Sequence, residues 1–188
     1  DNKTIFEKWY KLPHQATKEQ KKSIYGLSEI NRNLIKKSNF IACPGCYPTS
    51  ILLPLLPLVK NKLINTNSIK ADSKSGYSGA GKKTTDKKLY PNINENISIY
   101  GVGQHRHMPE IDQELSKSSK KKIKISFTPH LIPTFRGILS TIYLDLPKGI
   151  KIKKVKDCLL NFYKKEKFVN IVNSKEMINT NRVLNTNN

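Results

Sequence analysis

The sequence contains few of the residues on which several common classes of protein depend. Its 188 residues include three cysteines, so no disulfide scaffold is expected, and we predict a reducing, cytoplasmic location. No stretch approaches the roughly 20 consecutive apolar residues of a membrane-spanning helix. The first residues show no apolar signal segment. We therefore predict a globular protein without a membrane partner.

Acidic residues and arginine are also scarce. The chain has 14 Asp and Glu against 34 Lys and Arg, a formal net charge of +20. Arginine occurs only at positions 32, 106, 136 and 182. Such a charge attracts anions, and nucleic acid is one candidate. However, the lysines are scattered in short runs, and sites that read bases or grip phosphates favour arginine. We predict anionic small molecules as partners and no nucleic acid.

Glycine-rich nucleotide-binding fingerprints are missing as well. Neither a G-x-G-x-x-G motif nor a Walker A motif occurs in the sequence. One segment, Ser75–Gly81, is nevertheless rich in glycine and serine. Small residues of this kind let backbone N–H groups approach a phosphate or ribose closely. A plain flexible loop is the alternative interpretation of this segment.

The most informative segment that is present runs from Asn39 to Ser50. A short apolar stretch leads into Cys43-Pro44-Gly45-Cys46, and a long apolar segment follows. A cysteine between a strand and a helix lies beside unpaired N–H groups and a partial positive charge, which favour the thiolate. Cys46 is therefore a candidate nucleophile. A buried structural cysteine and a Cys-x-x-Cys redox pair remain alternatives, whereas Cys158 is predicted to lie in the core.

Two histidines and an arginine, His105-Arg106-His107, lie just before a predicted helix start. Histidine is the usual proton donor and acceptor for thiol chemistry near neutral pH. The two histidines could also hold zinc together with Cys43 and Cys46, although the His-x-His spacing suits the usual zinc geometries poorly. Further along, Arg136 precedes a glycine and a strand, where it could bind a carboxylate or phosphate.

Hydrophobic periodicity predicts an α+β fold with a sheet covered on one face. Helices are predicted over 49–63, 109–118 and 152–162, and strands over 67–71, 97–102, 122–128, 138–146 and 168–172. Pro54 and Pro57 predict a kink or a late start in the first of these helices. Residues 1 to about 38 lack the periodicity of an independent domain. They are predicted to be the tail of a domain that begins before residue 1, and both ends look truncated.

These motifs, in this order, resemble the N-acetyl-gamma-glutamyl-phosphate reductases, the semialdehyde-forming enzymes of arginine biosynthesis in the semialdehyde dehydrogenase superfamily. The matching segments are Trp9-Tyr10 with His14, Tyr25–Glu29, Pro44–Thr49, Ser75–Gly81, Gly103–Ile111, Phe127–Pro133 and Arg136–Leu139. The resemblance implies a glyceraldehyde-3-phosphate-dehydrogenase-like catalytic domain with a mixed or antiparallel sheet over residues 46–188, without its C-terminal end. It implies that residues 1–45 are the tail of an NADP-binding Rossmann domain, and that the enzyme is a homodimer or homotetramer.

The resemblance also implies a mechanism. Cys46 would attack the acyl phosphate and form a thioester, NADPH would reduce the thioester, and His105 would act as general acid and base. The implied cofactor contacts are Ser75, Gly76, Ser78, Gly79 and Gly81. The expected substrate-binding residues are Arg106, Arg136, His107 and Glu110, the two arginines on grounds of charge. No metal is expected.

Three points remain open at this stage. An aminoadipyl or aspartyl phosphate is an alternative substrate for the same chemistry. The family commonly has asparagine where Cys43 stands, and a disulfide between Cys43 and Cys46 would make the nucleophile sensitive to oxidation. Lys82 stands where arginine is frequent, which retains the charge without the forked geometry.

Overall fold

The computed structural model of the protein describes residues 3–85, 94–173 and 175–187. Its helices are α1 (Lys3–Tyr10), α2 (Thr17–Lys22), α3 (Ser28–Ile35), α4 (Cys46–Lys60), α5 (Met108–Ser119) and α6 (Ile152–Tyr163). Its strands are β1 (Ile24–Tyr25), β2 (Ile41–Ala42), β3 (Lys70–Ser75), β4 (Ser98–Ile99), β5 (Ser126–Leu131) and β6 (Ile138–Tyr143). Two 3-10 helices lie at Tyr77–Thr85 and Thr180–Val183.

Helix α4 lies at the centre of the hydrophobic core. It is apolar around most of its circumference, and a helix of that kind is stable only when neighbours cover it on several sides. Helices α5 and α6 and strand β6 supply that cover. The side chains of Ile51, Leu52 and Leu55 are fully buried, each at 0% exposure. The element that begins with Cys46 is therefore also the best-packed element of the fold.

The prediction of a late start in this helix is wrong, whereas the alternative, a kink at the prolines, stays a prediction. Helix α4 runs from Cys46 to Lys60 with Pro54 and Pro57 inside it. Pro57 lacks the N–H that would normally bind the carbonyl of Leu53. The hydroxyl of Tyr163, on α6, donates to that carbonyl instead, at 2.5 Å. A tertiary contact thus replaces a backbone hydrogen bond that proline removes.

Four strands form a mixed sheet in the order β4-β5-β3-β6. Strand β3 is parallel to β5 and antiparallel to β6, so that Ala71 lies between Phe127 and Ile142. Buried and more exposed residues alternate along β3, and half-buried and exposed residues alternate along β6, as expected when helices cover one face of a sheet. This confirms the predicted α+β class and the mixed sheet.

The bounds of the strands differ from those predicted. Strands were predicted over 67–71, 97–102, 122–128 and 138–146. The structure has the corresponding strands at Lys70–Ser75, Ser98–Ile99, Ser126–Leu131 and Ile138–Tyr143. Strand β3 thus continues into the small-residue segment, because it pairs with a neighbour on each side as far as Ser75. The predicted strand over 168–172 does not form, and Phe168, at 53% exposure, buries no face against the sheet.

The two remaining predicted helices are confirmed as α5 and α6, each within about two residues of the expected bounds. Ile111 and Leu115 occupy one face of α5, and both are fully buried.

Within the residues that the structure describes, no helix is both long enough and apolar enough to cross a membrane.

Candidate active site

Cys46 is the first residue of α4, and its side chain is exposed. The preceding Gly45 is the N-cap residue, with an extended backbone and no side-chain cap. The first N–H groups of a helix have no acceptor within the helix and carry a partial positive charge. Pro48 contributes no N–H, so the N–H groups of Cys46 and Tyr47 are the donors at this end. The predicted corner therefore exists, with an accessible thiol at the helix start.

The corner rests on a small parallel sheet formed by β1 and β2. Tyr25 pairs with Ala42, and the N–H of Gly26 donates to the carbonyl of Ala42 at 2.9 Å. Gly26 allows this close approach, since a Cβ there would lie 2.7 Å from a side-chain carbon of Ile41. The chain that leads to Cys43 is thus held firmly on one side.

His105 lies among aromatic rings beside the start of α4. Its ring contacts those of Tyr47, Tyr100 and Phe127 at centroid distances of 5.4, 5.5 and 5.4 Å. The N–H of His107 donates to Nδ1 of His105 at 3.2 Å. Because Nδ1 accepts this bond, the proton of the neutral ring is on Nε2. Burial, and then the charge of Arg106, lower the pKa of His105 to about 4, so the ring is neutral near pH 7.

His107 is almost completely buried, at 7% exposure, and packs directly against Gly45. A Cβ at Gly45 would lie between 2.6 and 2.9 Å from three atoms of the imidazole ring. Burial, followed by the charges of His105 and Arg106, lowers the pKa of His107 to about 4. Its Nδ1 has no hydrogen-bond partner among the described residues. The ring thus supports the corner from beneath.

Glu110, in the first turn of α5, contacts the same corner. Its Oε1 accepts hydrogen bonds from the N–H of Gly45 at 2.9 Å and from the hydroxyl of Tyr25 at 2.8 Å. Burial, together with the Glu110 charge, raises the pKa of Tyr25. The Tyr25 phenol is therefore protonated and serves as the donor.

The two predicted substrate-binding arginines occupy different places. Arg106 is exposed beside the histidines, and its guanidinium lies over the ring of Tyr10 at 5.7 Å. Arg136 is exposed on the turn after β5, over the ring of Phe135 at 5.1 Å. The structure therefore brings Arg106 next to His105 and leaves Arg136 on a separate turn.

The small-residue segment packs against that turn. The N–H groups of Gly76, Tyr77 and Ser78 donate to the carbonyls of Gly137, Thr134 and Phe135 at 2.9 to 3.0 Å. These three N–H groups are therefore engaged within the protein. Ser75 and Gly76 are buried, Ser78 is half-buried, and Gly79 and Gly81 are exposed. The surface of the segment is thus formed by its second half.

Tyr47 follows Cys46 in the first turn of α4. Its hydroxyl lies 2.8 Å from that of Tyr100 and 3.5 Å from the carbonyl oxygen of His130. Burial and the bond to Tyr100 raise the pKa of Tyr47. Sequence reasoning assigned no role to Tyr25, Tyr47 or Tyr100. The position of Tyr47 directly after the cysteine, inside the first turn of the helix, was the available signal.

The other cysteines do not join this arrangement. Cys43 is exposed, and all three cysteines are free, so no disulfide joins Cys43 to Cys46. Cys158, which was predicted to lie in the core, is half-buried on α6, and its thiol contacts the carbonyl of Pro57. Among residues 3–85, 94–173 and 175–187, no group of three His, Cys, Asp or Glu side chains is arranged to hold a metal ion. Lys82, which stands where arginine is frequent, lies in a part of the chain whose side chains are outside the described set.

Comparison with known sequences supports the resemblance. A family model described as "Semialdehyde dehydrogenase, dimerisation domain" matches residues 46–188. N-acetyl-gamma-glutamyl-phosphate reductase of Alkaliphilus metalliredigens is 45% identical over 97% of this chain and 53% of its own length. A probable chloroplastic N-acetyl-gamma-glutamyl-phosphate reductase of Arabidopsis thaliana is 46% identical over 97% of this chain and 45% of its own. The chain thus spans about half the length of these curated relatives.

Comparison with solved structures supports the fold. Aspartate semialdehyde dehydrogenase II of Vibrio cholerae has a TM-score of 0.61 and 17% identity, over 86% of this chain and 54% of its own. A probable aspartate-semialdehyde dehydrogenase of Pseudomonas aeruginosa has a TM-score of 0.58 and 14% identity, over 84% and 52%. An accessible cysteine at the start of a buried helix, a mixed sheet beneath it and the match over residues 46–188 agree: the chain belongs to the semialdehyde dehydrogenase family.

Proposed function

We propose that the full-length protein is an NADP-dependent N-acetyl-gamma-glutamyl-phosphate reductase, which forms N-acetylglutamate semialdehyde and phosphate in arginine biosynthesis. The observation that carries the proposal is the exposed Cys46 at the start of α4, with the neutral His105 beside the next residue, Tyr47. An accessible thiolate nucleophile and a nearby hydrogen-bond donor to the oxygen of the reacting carbonyl are the two groups that this proposal uses. The names of the relatives at 45 and 46% identity supply the substrate.

Acylation would use Cys46 as nucleophile. The Cys46 thiolate, which the helix start favours, attacks the carbonyl carbon of the acyl phosphate, the carbon–oxygen bond to phosphate breaks, phosphate leaves with the electron pair, and a thioester remains on Cys46. The negative charge that develops on the carbonyl oxygen would be stabilised by the N–H groups of Cys46 and Tyr47 at the helix start. Backbone donors suit this task because they are already oriented before the substrate binds.

His105 would act on the second half of the reaction. NADPH, when bound, supplies the hydride that converts the thioester carbon to a tetrahedral centre. The Nε2–H of His105 would donate a hydrogen bond to the alkoxide on that centre. Collapse of the alkoxide then expels the Cys46 thiolate and leaves the aldehyde without a net proton transfer. A histidine that is neutral and carries its proton on Nε2 is sufficient for this step.

Substrate and cofactor would approach from the surface of the site. Arg106 is proposed to bind a carboxylate or phosphate group beside His105, and Arg136 to bind the other one from its separate turn. His107 and Glu110, predicted from the family to bind substrate, contact the corner itself. Of the predicted cofactor contacts, Ser78, Gly79 and Gly81 are proposed to face NADP, since Ser75 and Gly76 are buried.

The proposal extends to domains, location and assembly. Residues 1–45 are proposed to be the tail of an NADP-binding domain and residues 46–188 the catalytic and dimerisation domain. A cytoplasmic location remains a prediction, since a plant relative is named chloroplastic. A second copy of the protein is proposed to cover the outer face of the sheet, where Leu139 and Tyr143 are 37% and 57% exposed.

The test is turnover of the full-length protein in the reverse direction, with N-acetylglutamate semialdehyde, NADP and phosphate. We expect Cys46→Ser to lower kcat by about a thousandfold or more, while Cys43→Asn, the matched control, retains turnover. Equal loss in the two variants would instead favour a dithiol mechanism. A higher kcat/KM for aspartate semialdehyde would move the proposal to the related substrate. Zinc found by elemental analysis of active protein would contradict the single-nucleophile mechanism.

A further inference from the structure

We propose that Glu110 is a positioning residue for Cys46, which it orients through Gly45, and that Tyr25 holds Glu110 in place. This inference rests on the proposed role of Cys46 as nucleophile. It differs from the family-based expectation that Glu110 binds substrate. A single oxygen atom, Oε1 of Glu110, accepts both the N–H of Gly45 and the hydroxyl of Tyr25.

These two bonds join three parts of the chain that are distant in sequence. Gly45 and Glu110 are separated by 65 residues, and Tyr25 and Glu110 by 85. The strand β1, the corner before α4 and the start of α5 are thereby tied at one point. A carboxylate that accepts a backbone N–H and a phenol O–H forms stronger bonds than a neutral acceptor would.

The bond to Gly45 fixes the backbone immediately before the nucleophile. The carbonyl of Gly45 in turn accepts the N–H of Thr49 at 3.0 Å and the hydroxyl of Thr49 at 2.9 Å. Gly45 is therefore held at its N–H by Glu110 and at its carbonyl by the first turn of α4. The peptide planes on either side of Gly45 therefore set the orientation of Cys46.

The engagement of Gly45 also defines which donors face the substrate. Since Glu110 takes the N–H of Gly45, the backbone donors left for an oxyanion are those of Cys46 and Tyr47. A loosened corner would shift both the sulfur and these donors relative to the substrate. Displacements of about 1 Å at a reacting centre can lower a rate by about a hundredfold.

A positioning role and a substrate-binding role predict different variants to be harmful. Positioning requires an oxygen acceptor at this place, which glutamine retains and alanine lacks. Substrate binding through charge requires the carboxylate, which both substitutions remove. The comparison of Glu110→Gln with Glu110→Ala therefore separates the two roles, and Tyr25→Phe tests the second bond without altering any charge.

The experiment uses the full-length protein with Cys43→Asn as background, so that Cys46 is the exposed thiol at the corner. We expect Glu110→Ala to lower kcat by about ten- to a hundredfold with KM changed less than about threefold. Glu110→Gln should restore most of that loss, and Tyr25→Phe should lower kcat by a smaller factor. The rate of Cys46 alkylation by iodoacetamide, followed by mass spectrometry, should also differ between the alanine and glutamine variants.

Cys158 provides an internal control for folding. Burial raises the pKa of this thiol, so it should react slowly with iodoacetamide while the fold is intact. If iodoacetamide alkylates Cys158 rapidly in the Glu110→Ala variant, that variant has unfolded. Tyr25→Phe then becomes the deciding variant, and a kcat of Tyr25→Phe equal to that of the wild type would overturn the proposal.

Two further results would overturn the proposal directly. One is a KM that rises equally in Glu110→Gln and Glu110→Ala, which would indicate a charge contact with substrate. The other is a folded Glu110→Ala variant with unchanged kcat and unchanged Cys46 alkylation. The alkylation rates need no substrate, so they test the positioning of Cys46 even if the proposed reaction itself is not found.

Discussion

Replacement of Gly45 by alanine gives a direct test of the packing around the residue before Cys46. The backbone of Gly45 has φ −68° and ψ 160°, which any residue can adopt, so alanine causes no backbone strain. By itself, the loss of glycine's freedom in the unfolded chain would stabilise the protein by about 0.4–1 kcal/mol. Any destabilisation must therefore come from the added methyl group.

That methyl group has no room. It would lie 2.6 Å from Nε2 of His107 and 2.8 and 2.9 Å from two ring carbons, whereas ordinary contacts are about 3.5–4.0 Å. The ring cannot withdraw into solvent, since His107 is 7% exposed and packs against His105 at 4.9 Å. Overpacking of this kind typically costs about 1–3 kcal/mol. Subtraction of the entropic gain leaves about 0–2.6 kcal/mol. Because all three contacts are shorter than 3.0 Å, the overpacking cost lies in the upper part of its range, and we expect a net destabilisation of about 1–2 kcal/mol.

The assay is urea denaturation, with Gly79→Ala as matched control. Among the described residues, a Cβ at Gly79 would meet the hydroxyl of Ser75 alone, at an ordinary 3.4 Å, so this variant should show the entropic gain by itself, a stabilisation of about 0.4–1 kcal/mol. A double-mutant cycle with His107→Ala should remove the cost of the Gly45 substitution, because the clashing ring is gone. A Gly45→Ala variant within about 0.5 kcal/mol of wild type would refute the reasoning.

Two further predictions concern stability. Because the folded-state pKa values of His105 and His107 are lowered to about 4 from 6.5, protonation favours the unfolded chain. The free energy of unfolding should thus stay constant above about pH 6.5 and decrease as the pH falls from there towards 4. This decrease per pH unit should be smaller when both histidines are replaced by asparagine. Ser140 hydrogen bonds to two serine hydroxyls, on β3 and α4, at 2.7 and 2.8 Å. Ser140→Ala should cost about 1–3 kcal/mol in urea denaturation, and a change below about 0.5 kcal/mol would contradict the importance of this hydroxyl cluster.

Most features that could be predicted from the sequence depend on patterns within about a dozen residues. The 3.6-residue period predicted α5 and α6 to within about two residues. The corner before α4 predicted an accessible cysteine at a helix start, because both the Pro-Gly pair and the apolar run after it are local signals. Strand bounds were less predictable, since pairing partners decide where a strand ends.

Other features depended on neighbours that are distant in sequence. The two prolines predicted a kink or a late start, yet α4 begins at Cys46, and the Tyr163 hydroxyl, 110 residues from Leu53, donates to the carbonyl that Pro57 leaves without a backbone donor. No local pattern could have indicated that donor. The parallel pairing of β3 with β5 likewise joins segments that are far apart in the chain, with β4 and α5 between them.

The sequence by itself thus determined the family, the α+β class and the candidate chemistry, because all three depend on residue types in short, ordered motifs. Only the tertiary structure decided which groups surround Cys46. It buried His107 against Gly45, placed the ring of His105 among aromatic side chains and brought Glu110 to the corner. Such contacts arise when separate elements pack around one core, and their geometry is settled by that packing.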